Sequence, residues 1–527
     1  MAEISPQTQK LIQKYQAWYR SLEKEAGVAT IHVDEVATRV ASFYEKIRGV
    51  VDWREEHLLR KGAIERGLKR RLFLQKNGKS LAEPFVLELI RGGHFPNDQI
   101  EERKIENVGK VLDKYLFILE NSEKASVAKL KIQLYDWLLG IAACEIEEIL
   151  APAIREEALI EYMAQMMKEK IVIEKMAFEE REAQIQIAVQ RALFKLDKAT
   201  IGFYLLKAKY LDWENLEGSA LEKIAANIYS IWEKIEEDLK HRLAEKFYRI
   251  CERYDTAYLI LGDIISQNPK DSEKNISQPE ILESKIRENY QRRFFKLKSR
   301  LTRAAIYSVI SIFATKMLIA FAIEVPFEKY ILGGLNYQTL GFNIVIPPLL
   351  MFLLVLTIRP PKKENQERVV MEVMKLAYEK EKKDIYPIKT YRKRGIIFTL
   401  IIGVFYLLTF FVSFGIIIFI LNRLDFGILS IVIFLMFFSL ISFAGVKIRE
   451  RAKELEITEK KPGFFVFLID TFSLPFLRVG RWLSSQWAKY NIIVVLITAL
   501  IDMPFQLFTE FLEHWRNFLK EKKEEIH

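Results

Sequence analysis

The sequence predicts an all-α, multi-pass membrane protein with a large N-terminal helical domain. Four long apolar runs, a one-sided distribution of basic residues beside them, and helical spacing of apolar residues over residues 1–291 lead to this fold class. A third region, residues 447–527, combines a basic linker with aromatic, amphipathic segments. The expected order is therefore a helical domain, a four-helix membrane domain over 292–446, and C-terminal interfacial or re-entrant helices.

The N-terminal domain, residues 1–291, contains amphipathic runs and no apolar stretch long enough to cross a bilayer. Two of these runs place apolar residues three or four positions apart, at Val111, Tyr115, Ile118 and Leu119, and at Leu221, Ile224, Ile228, Trp232 and Ile235. This spacing is typical of helices that bury one face. No strand is indicated, and the balance of 45 basic against 49 acidic residues suits a soluble unit.

The four apolar runs cover residues 304–323, 342–358, 396–421 and 426–446. Each is close to the roughly 20 helical residues that cross a hydrocarbon core about 30 Å thick. Lys316 is the only charged residue within them. We therefore expect four membrane-spanning helices.

Basic residues beside the runs predict the orientation, because Lys and Arg accumulate on the cytoplasmic side of a membrane. Residues 292–303, 359–394 and 447–461 contain 24 Lys and Arg, whereas the opposite connections, 324–341 and 422–425, contain two. This asymmetry predicts a multi-pass protein of the cytoplasmic (plasma or inner) membrane with both termini in the cytoplasm. Residues 292–527 have a net charge of +14, and the basic residues beside the apolar runs account for it. Because orientation and attraction to anionic headgroups explain this charge, nucleic acid is not an expected partner.

The C-terminal region has two short apolar segments, 464–477 and 492–507, each with an aspartate and a proline. Both are shorter than a comfortable span, so they predict two re-entrant or interfacial helical hairpins; two further short spans are the alternative. Basic and aromatic residues suited to an anionic headgroup surface accompany them, at Arg478, Arg481, Trp482, Trp487, Lys489 and Trp515.

Candidate intramembrane polar residues are Lys316, Asn343, Asp470 and Asp502. A charge at membrane depth costs several kcal/mol unless it is paired or reaches water. Lys316 is interpreted as snorkelling or structurally paired, with contact to a transported substrate as the alternative. Under the structural interpretation, Lys316→Met is expected to insert normally.

No motif in the sequence specifies catalysis, a metal site or a cofactor. The segment Asn77 to Ser80 lacks the upstream glycine of a phosphate-binding loop, and no two histidines lie three or four positions apart. The carboxylates at Glu145, Glu147 and Glu148 are interpreted as a solvated face. An enzyme is therefore not expected, and no cofactor is predicted.

Two functional hypotheses remain. The first is a non-enzymatic membrane scaffold or tether whose cytosolic helical domain binds a protein partner and whose C-terminal helices contact anionic lipid. The second is a small transporter, channel or membrane-insertion factor that uses the intramembrane polar residues. Convergence of these residues on a water-accessible cavity would favour the second.

Overall fold

A computed structural model describes residues 2–22, 29–33, 56–74, 78–122, 128–174, 176–210, 212–331, 337–379, 384–389, 395–457 and 464–489, with 511, 515, 518 and 522. The described chain is almost entirely helical. It divides into two compact units, which we name the helical unit (Ile4–Lys274, Glu379–Lys389 and Leu496–His527) and the span unit (Met1–Glu3, Asn275–Tyr378 and Thr390–Val495). The division near residue 274 lies before the boundary expected at residue 291.

The helical unit contains ten helices among its described residues. They are α1 (Pro6–Ser21), α2 (Glu56–Leu74), α3 (Gly78–Arg91), α4 (Arg103–Asn121), α5 (Ala128–Leu150), α6 (Ile154–Lys170), α7 (Phe178–Phe194), α8 (Lys198–Lys209), α9 (Gly218–Leu239) and α10 (Ala244–Gln267). One group, α2, α3, α4, α5, α8 and α9, packs around a shared apolar core, and α1, α6, α7 and α10 form a second packed group.

Amphipathic spacing explains why these segments fold as helices. Helix α9 buries Ile224, Ile228 and Ile235, and helix α4 buries Tyr115 and Ile118, as the sequence predicted. Each fully buried side chain of this size contributes about 1.5–3 kcal/mol to folding. Tertiary burial of one face, rather than intrinsic helix propensity, therefore stabilises these helices.

A short parallel sheet joins two distant parts of the helical unit. Strand β1 (Ile171–Ile173) pairs with β2 (Tyr386–Ile388), with Ile171 opposite Tyr386 and Ile173 opposite Ile388. The absence of strands was therefore a wrong expectation. Three-residue strands have no period long enough to recognise, and the partner of β1 lies more than 200 residues away in the chain.

The span unit contains seven helices of six residues or more in its described part. They are α12 (Pro279–Ile319), α13 (Val325–Tyr330), α14 (Tyr337–Leu356), α15 (Lys363–Tyr378), α16 (Ile396–Arg423), α17 (Ile428–Ala452) and α18 (Phe464–Lys489); the short α11 (Ser272–Ile276) precedes them. A π-helical turn, Ala320–Glu324, joins α12 to α13 without a break.

In the described part of this unit, four helices are long and apolar enough to cross a membrane. They are the continuous helix Pro279–Tyr330 and helices α14, α16 and α17. Many of their apolar side chains are exposed, for example Ile396 at 86% and Ile428 at 84%. The four predicted spans are thus recovered as helices, but the first continues to Tyr330, so the connection predicted to begin at Glu324 begins later.

Helix α18 differs from the expected hairpin. Residues 464–489 form one uninterrupted helix that passes through Pro475 and packs against α16 and α17. The Phe476 ring lies 4.5 Å from that of Phe414 and 4.8 Å from that of Phe438, measured between centroids, and both partners lie in the middle of their helices. No turn interrupts residues 464–489, because side-chain packing along α18 outweighs the one hydrogen bond that Pro475 removes.

Gly480 allows the close approach of α18 to α17. A Cβ atom at Gly480 would lie 2.1 Å from the Ser439 carbonyl oxygen and 2.8 Å from Phe443 Cβ. Backbone atoms of a helix cannot yield by that much, so any larger residue must push the two helices apart.

We therefore expect Gly480→Ala to lower the stability of the purified chain by about 1–3 kcal/mol, the usual cost of overpacking. Gly415→Ala on α16 is the matched control, since a Cβ there meets no atom within 4 Å. Alanine in an exposed helix should leave stability equal or raise it by up to about 1 kcal/mol. Thermal unfolding in detergent compares the two, and equal melting temperatures would contradict the proposed contact.

Candidate functional site

An ion pair between Lys316 and Glu324 lies inside the span unit. Lys316 is on α12 and Glu324 ends the π-helical turn, and both side chains are 0% exposed. In a regular helix, residues eight apart lie two turns apart and about 80° out of register. A π turn takes in an additional residue, which rotates Glu324 back towards the face that carries Lys316.

Asn343 on α14 completes this buried triad. Its Nδ2 donates a hydrogen bond of 2.7 Å to Glu324 Oε2, while Lys316 pairs with Oε1. The ammonium also lies 5.4 Å from the ring centroid of Phe437 on α17. Both oxygens of Glu324 are thus engaged, and the positive charge of Lys316 is neutralised within the bundle.

Pro347 and Pro348 follow Asn343 in the same helix. Helix α14 continues through both, and both are buried. Because proline has no backbone N–H, Pro347 leaves the carbonyl of Asn343 without its usual helical donor. The Asn343 side chain donates to Glu324, whereas its backbone carbonyl is the group that Pro347 leaves without a helical donor.

Glu328, one turn after Glu324, is a second buried carboxylate of this helix, and its side chain is 8% exposed. Ser430 Oγ on α17 donates a hydrogen bond of 3.2 Å to Oε1. The other oxygen, Glu328 Oε2, is buried without a hydrogen-bond partner, as is Asn343 Oδ1. The four side chains Glu324, Glu328, Asn343 and Ser430 thus link three of the candidate spans.

The remaining polar candidates do not join this triad. The Asp470 side chain is exposed on α18 and forms no ion pair with any described residue. Asp502 lies outside the described residues. The structure thus brings together Lys316 and Asn343, two of the four intramembrane candidates.

The membrane-interface candidates are mostly exposed. Arg478 lies with its guanidinium 4.3 Å from the ring centroid of Tyr406 on α16, and Arg481 and Trp482 are exposed on α18. Trp515 is exposed and stacks with Phe511 at a centroid distance of 6.0 Å. The side chains of Trp487 and Lys489 lie outside the described residues.

Glu145, Glu147 and Glu148 of α5 are not a solvated face, contrary to the sequence interpretation. Each has a cationic neighbour: Lys114 at 2.5 Å from Glu145, Arg60 at 3.6 Å from Glu147, and Lys207 at 2.5 Å from Glu148. Helix α5 is enclosed by α2, α4 and α8, so carboxylates on several of its sides meet other helices rather than water.

Glu145 is the most buried of the three. Its second oxygen accepts a 2.7 Å hydrogen bond from the Tyr115 hydroxyl, and Lys114 also donates to the Trp213 carbonyl at 2.8 Å. Burial raises the pKa of Glu145 and lowers that of Lys114, while their attraction opposes both shifts. The network satisfies buried polar atoms, which suits a structural role.

Among the described residues, no three His, Cys, Asp or Glu side chains are grouped so as to hold a metal ion. Burial raises the pKa of the Cys144 thiol to about 12, and the pKa of Cys251 is also raised. These buried thiols are poor nucleophiles at neutral pH.

Glu324 is the functional-site residue that the sequence interpretation missed. It stands at the end of an apolar run and was assigned to an external connection. Its spacing from Lys316 gives no signal, since residues eight apart in a regular helix are about 80° out of register and only pairs three or four apart face each other. The π turn that brings the two together has no recognisable sequence signature.

The triad changes the expectation for Lys316→Met. Removal of the ammonium alone leaves the Glu324 carboxylate buried without its cation, so we expect a loss of about 3–5 kcal/mol instead of normal behaviour. Glu324→Gln alone should cost a similar amount, because it leaves the Lys316 ammonium buried without its carboxylate. The double variant should recover most of the stability, because the amide oxygen that Glu324→Gln introduces still accepts from Asn343.

Thermal unfolding of the four proteins in detergent gives the coupling free energy of the pair. Additive effects of the two single changes would show that Lys316 and Glu324 do not interact. Lys316→Glu should be the least stable variant, since it places two carboxylates together.

Glu147 should make the helical unit sensitive to pH. Burial raises its pKa from 4.5 to about 7, against the opposing attraction of Arg60 and Lys61. The folded chain therefore retains a proton that the unfolded chain releases, and stability should fall as pH rises from about 4.5 through 7. Glu147→Gln should remove this part of the profile and raise stability at pH 8 by up to roughly 3 kcal/mol.

Thermal unfolding followed by circular dichroism across this range measures the effect. The exposed Glu222→Gln on α9 is the control and should leave the profile as in the unaltered protein. If stability falls with rising pH equally in Glu147→Gln and in the unaltered protein, the raised pKa of Glu147 is contradicted.

Comparison of the chain with protein-family models, with curated proteins and with solved structures found no match.

Proposed function

We propose that this protein is a non-enzymatic scaffold or tether of the cytoplasmic membrane, whose helical unit binds a protein partner. The observation that supports this role best is the closed Lys316–Glu324–Asn343 triad. Its cation and its carboxylate are 0% exposed and engaged with each other, which suits a group that fixes helices in place.

A transporter or channel is the second candidate. Such a protein needs charged groups along a path that water or substrate can enter. The charge of Lys316 is neutralised locally, and Asp470, the other described acidic candidate, is exposed on α18 instead of joining the triad. The unpartnered oxygen of Glu328 is the one observation in favour of this alternative.

The helical unit offers a groove for a partner. It has a volume of about 690 Å³ and lies between α3, α4 and the segment 29–33. Its wall combines both charge signs with apolar side chains, at Lys79, Glu83, Glu102, Arg103, Glu106, Ile31, Leu87 and Ile105. We propose that a protein segment with an apolar side chain flanked by charged ones binds there, because such a surface pairs charges at its rim and buries apolar area.

The proposed orientation places the helical unit and both termini in the cytoplasm, on the basis of the 24 basic residues against two. A cysteine replacing the exposed Asn422 should react with an impermeant thiol reagent outside intact cells. A cysteine replacing the exposed Glu364 should react only after permeabilisation. The native Cys144 and Cys251 are buried, so they should give little background labelling. The opposite labelling pattern would contradict the proposed orientation.

The scaffold proposal predicts a stoichiometric protein partner in the native membrane. Glu83→Lys with Glu106→Lys reverses charge in the groove and should reduce recovery of the cross-linked partner at least about tenfold, equivalent to roughly 1.4 kcal/mol. Glu222→Lys with Glu233→Lys, both exposed on α9, makes the same charge change elsewhere and should leave recovery intact. If both double variants lose the partner equally, the groove is not its binding site. If no stoichiometric partner is recovered with the unaltered protein, the scaffold proposal is wrong.

A further inference from the structure

The two-stranded sheet of the helical unit is buried on one side and apolar but exposed on the other. Its register places Val172 opposite Pro387, and both side chains are exposed, as is Ile385 two residues before Pro387. Side chains alternate between the faces of a strand, so these three residues share one face, while Ile171 and Ile388 are buried on the other. We name the exposed face, Val172, Ile385 and Pro387, the sheet patch.

The apolar character of the sheet patch is not needed to form the sheet. A half-buried strand normally alternates apolar with polar residues, yet both strands consist of apolar or aromatic residues throughout. Val172 is 44% exposed and Ile385 is 61% exposed. Scattered apolar residues are normal on a protein surface, whereas adjoining ones mark a contact with another protein or with a membrane. The sheet patch is therefore a contact surface.

The chain holds the sheet patch close to a candidate membrane span. Helix α16 begins at Ile396, eight residues after Ile388, the last residue of β2. Eight residues reach at most about 29 Å when they are fully extended. A surface held at this distance from a bilayer meets it at a high effective concentration, so a few apolar contacts are enough to keep it there.

The charge around β2 is predominantly positive. Residues 380–394 contain seven Lys and Arg against two acidic residues. Lys389 directly follows β2 and is exposed, whereas the acidic Asp384 is half-buried and lies 4.0 Å from Lys170. Glu174, after β1, is exposed and is the opposing charge on the other strand. The excess of positive charge complements the anionic headgroups of a cytoplasmic leaflet.

We propose that the sheet patch is a membrane-docking surface, which lies on the anionic leaflet of the bilayer that α16 crosses. Val172, Ile385 and Pro387 enter the headgroup boundary, and the ammonium of Lys389 contacts a lipid phosphate. A bilayer fits this surface better than a protein partner, because the flanking charge is mainly of one sign and the connection to α16 is short. The inference depends on the membrane location given in the proposed function, and it adds a lipid contact made by the helical unit itself.

The first experiment uses the full chain in nanodiscs, with an environment-sensitive fluorophore on a single introduced cysteine and nitroxides at shallow depth in the lipid. Labels on Val172→Cys or Ile385→Cys should be quenched at least about twofold more than a label on Ile132→Cys. Ile132, on α5, is the matched control because it is apolar and 63% exposed. Quenching at the sheet patch should be stronger in anionic than in neutral lipid and should weaken in high salt.

A label on Leu408→Cys distinguishes failure of docking from failure of the membrane location. Leu408 is exposed in the middle of α16, so deeply placed nitroxides should quench a label there. Quenching at Leu408 together with equal quenching at the sheet patch and at Ile132 would overturn the docking alone. Absence of quenching at every position would overturn both proposals. Blue-shifted emission at the sheet patch that nitroxides do not quench would show that protein covers it, and would also overturn the docking.

The second experiment changes the sheet patch. Ile385→Asp lies on the exposed face, so it should keep the melting temperature of the unaltered chain, but it should reduce quenching of a label on Val172→Cys at least about twofold. Ile132→Asp makes the same change on α5 and should leave this quenching as it is. Equal quenching of the Val172→Cys label in both variants would contradict the proposal.

Discussion

Neutralisation of buried charge is the constraint around which the span unit is arranged. Lys316 stands in the middle of an apolar helix, where an unpaired ammonium would cost several kcal/mol. Glu324 supplies the opposite charge, the π turn brings it into reach, and Asn343 on another helix occupies the remaining oxygen. A pair of this kind adds little net stability compared with apolar residues, but it penalises any other register of the helices.

The helical unit follows the same rule. Lys114 and Glu145 are both nearly inaccessible to solvent and lie 2.5 Å apart, with Tyr115 and Trp213 completing their hydrogen bonds. Lys61, also buried, pairs with Asp197, whose side chain caps α8 by accepting from the Thr200 amide. Polar contacts therefore fix the relative positions of helices whose apolar faces alone would tolerate several arrangements.

Features that depend on the apolar pattern of one regular helix could be predicted from the sequence, and features that depend on a helix irregularity or on neighbouring helices could not. Apolar runs identify the four candidate spans, and the spacing of Ile224, Ile228 and Ile235 identifies the buried face of α9. Lys316 and Asn343 stand out because polar residues are rare in such runs. Glu324 does not, since its role requires that the helix continue past the apolar run. The carboxylates of α5 were misread for a related reason, because neighbouring helices, not the local pattern, enclose them.

The pairing of β1 with β2 has a consequence for biogenesis. The helical unit needs residues 386–388 to complete its sheet, and these are translated after both the first and the second candidate spans. Ile171 must therefore wait for a partner more than 200 positions later, after the intervening apolar helices have been synthesised. Completion of the helical unit thus follows the synthesis of two candidate spans, so a chain that stops before residue 386 also leaves its largest unit unfinished.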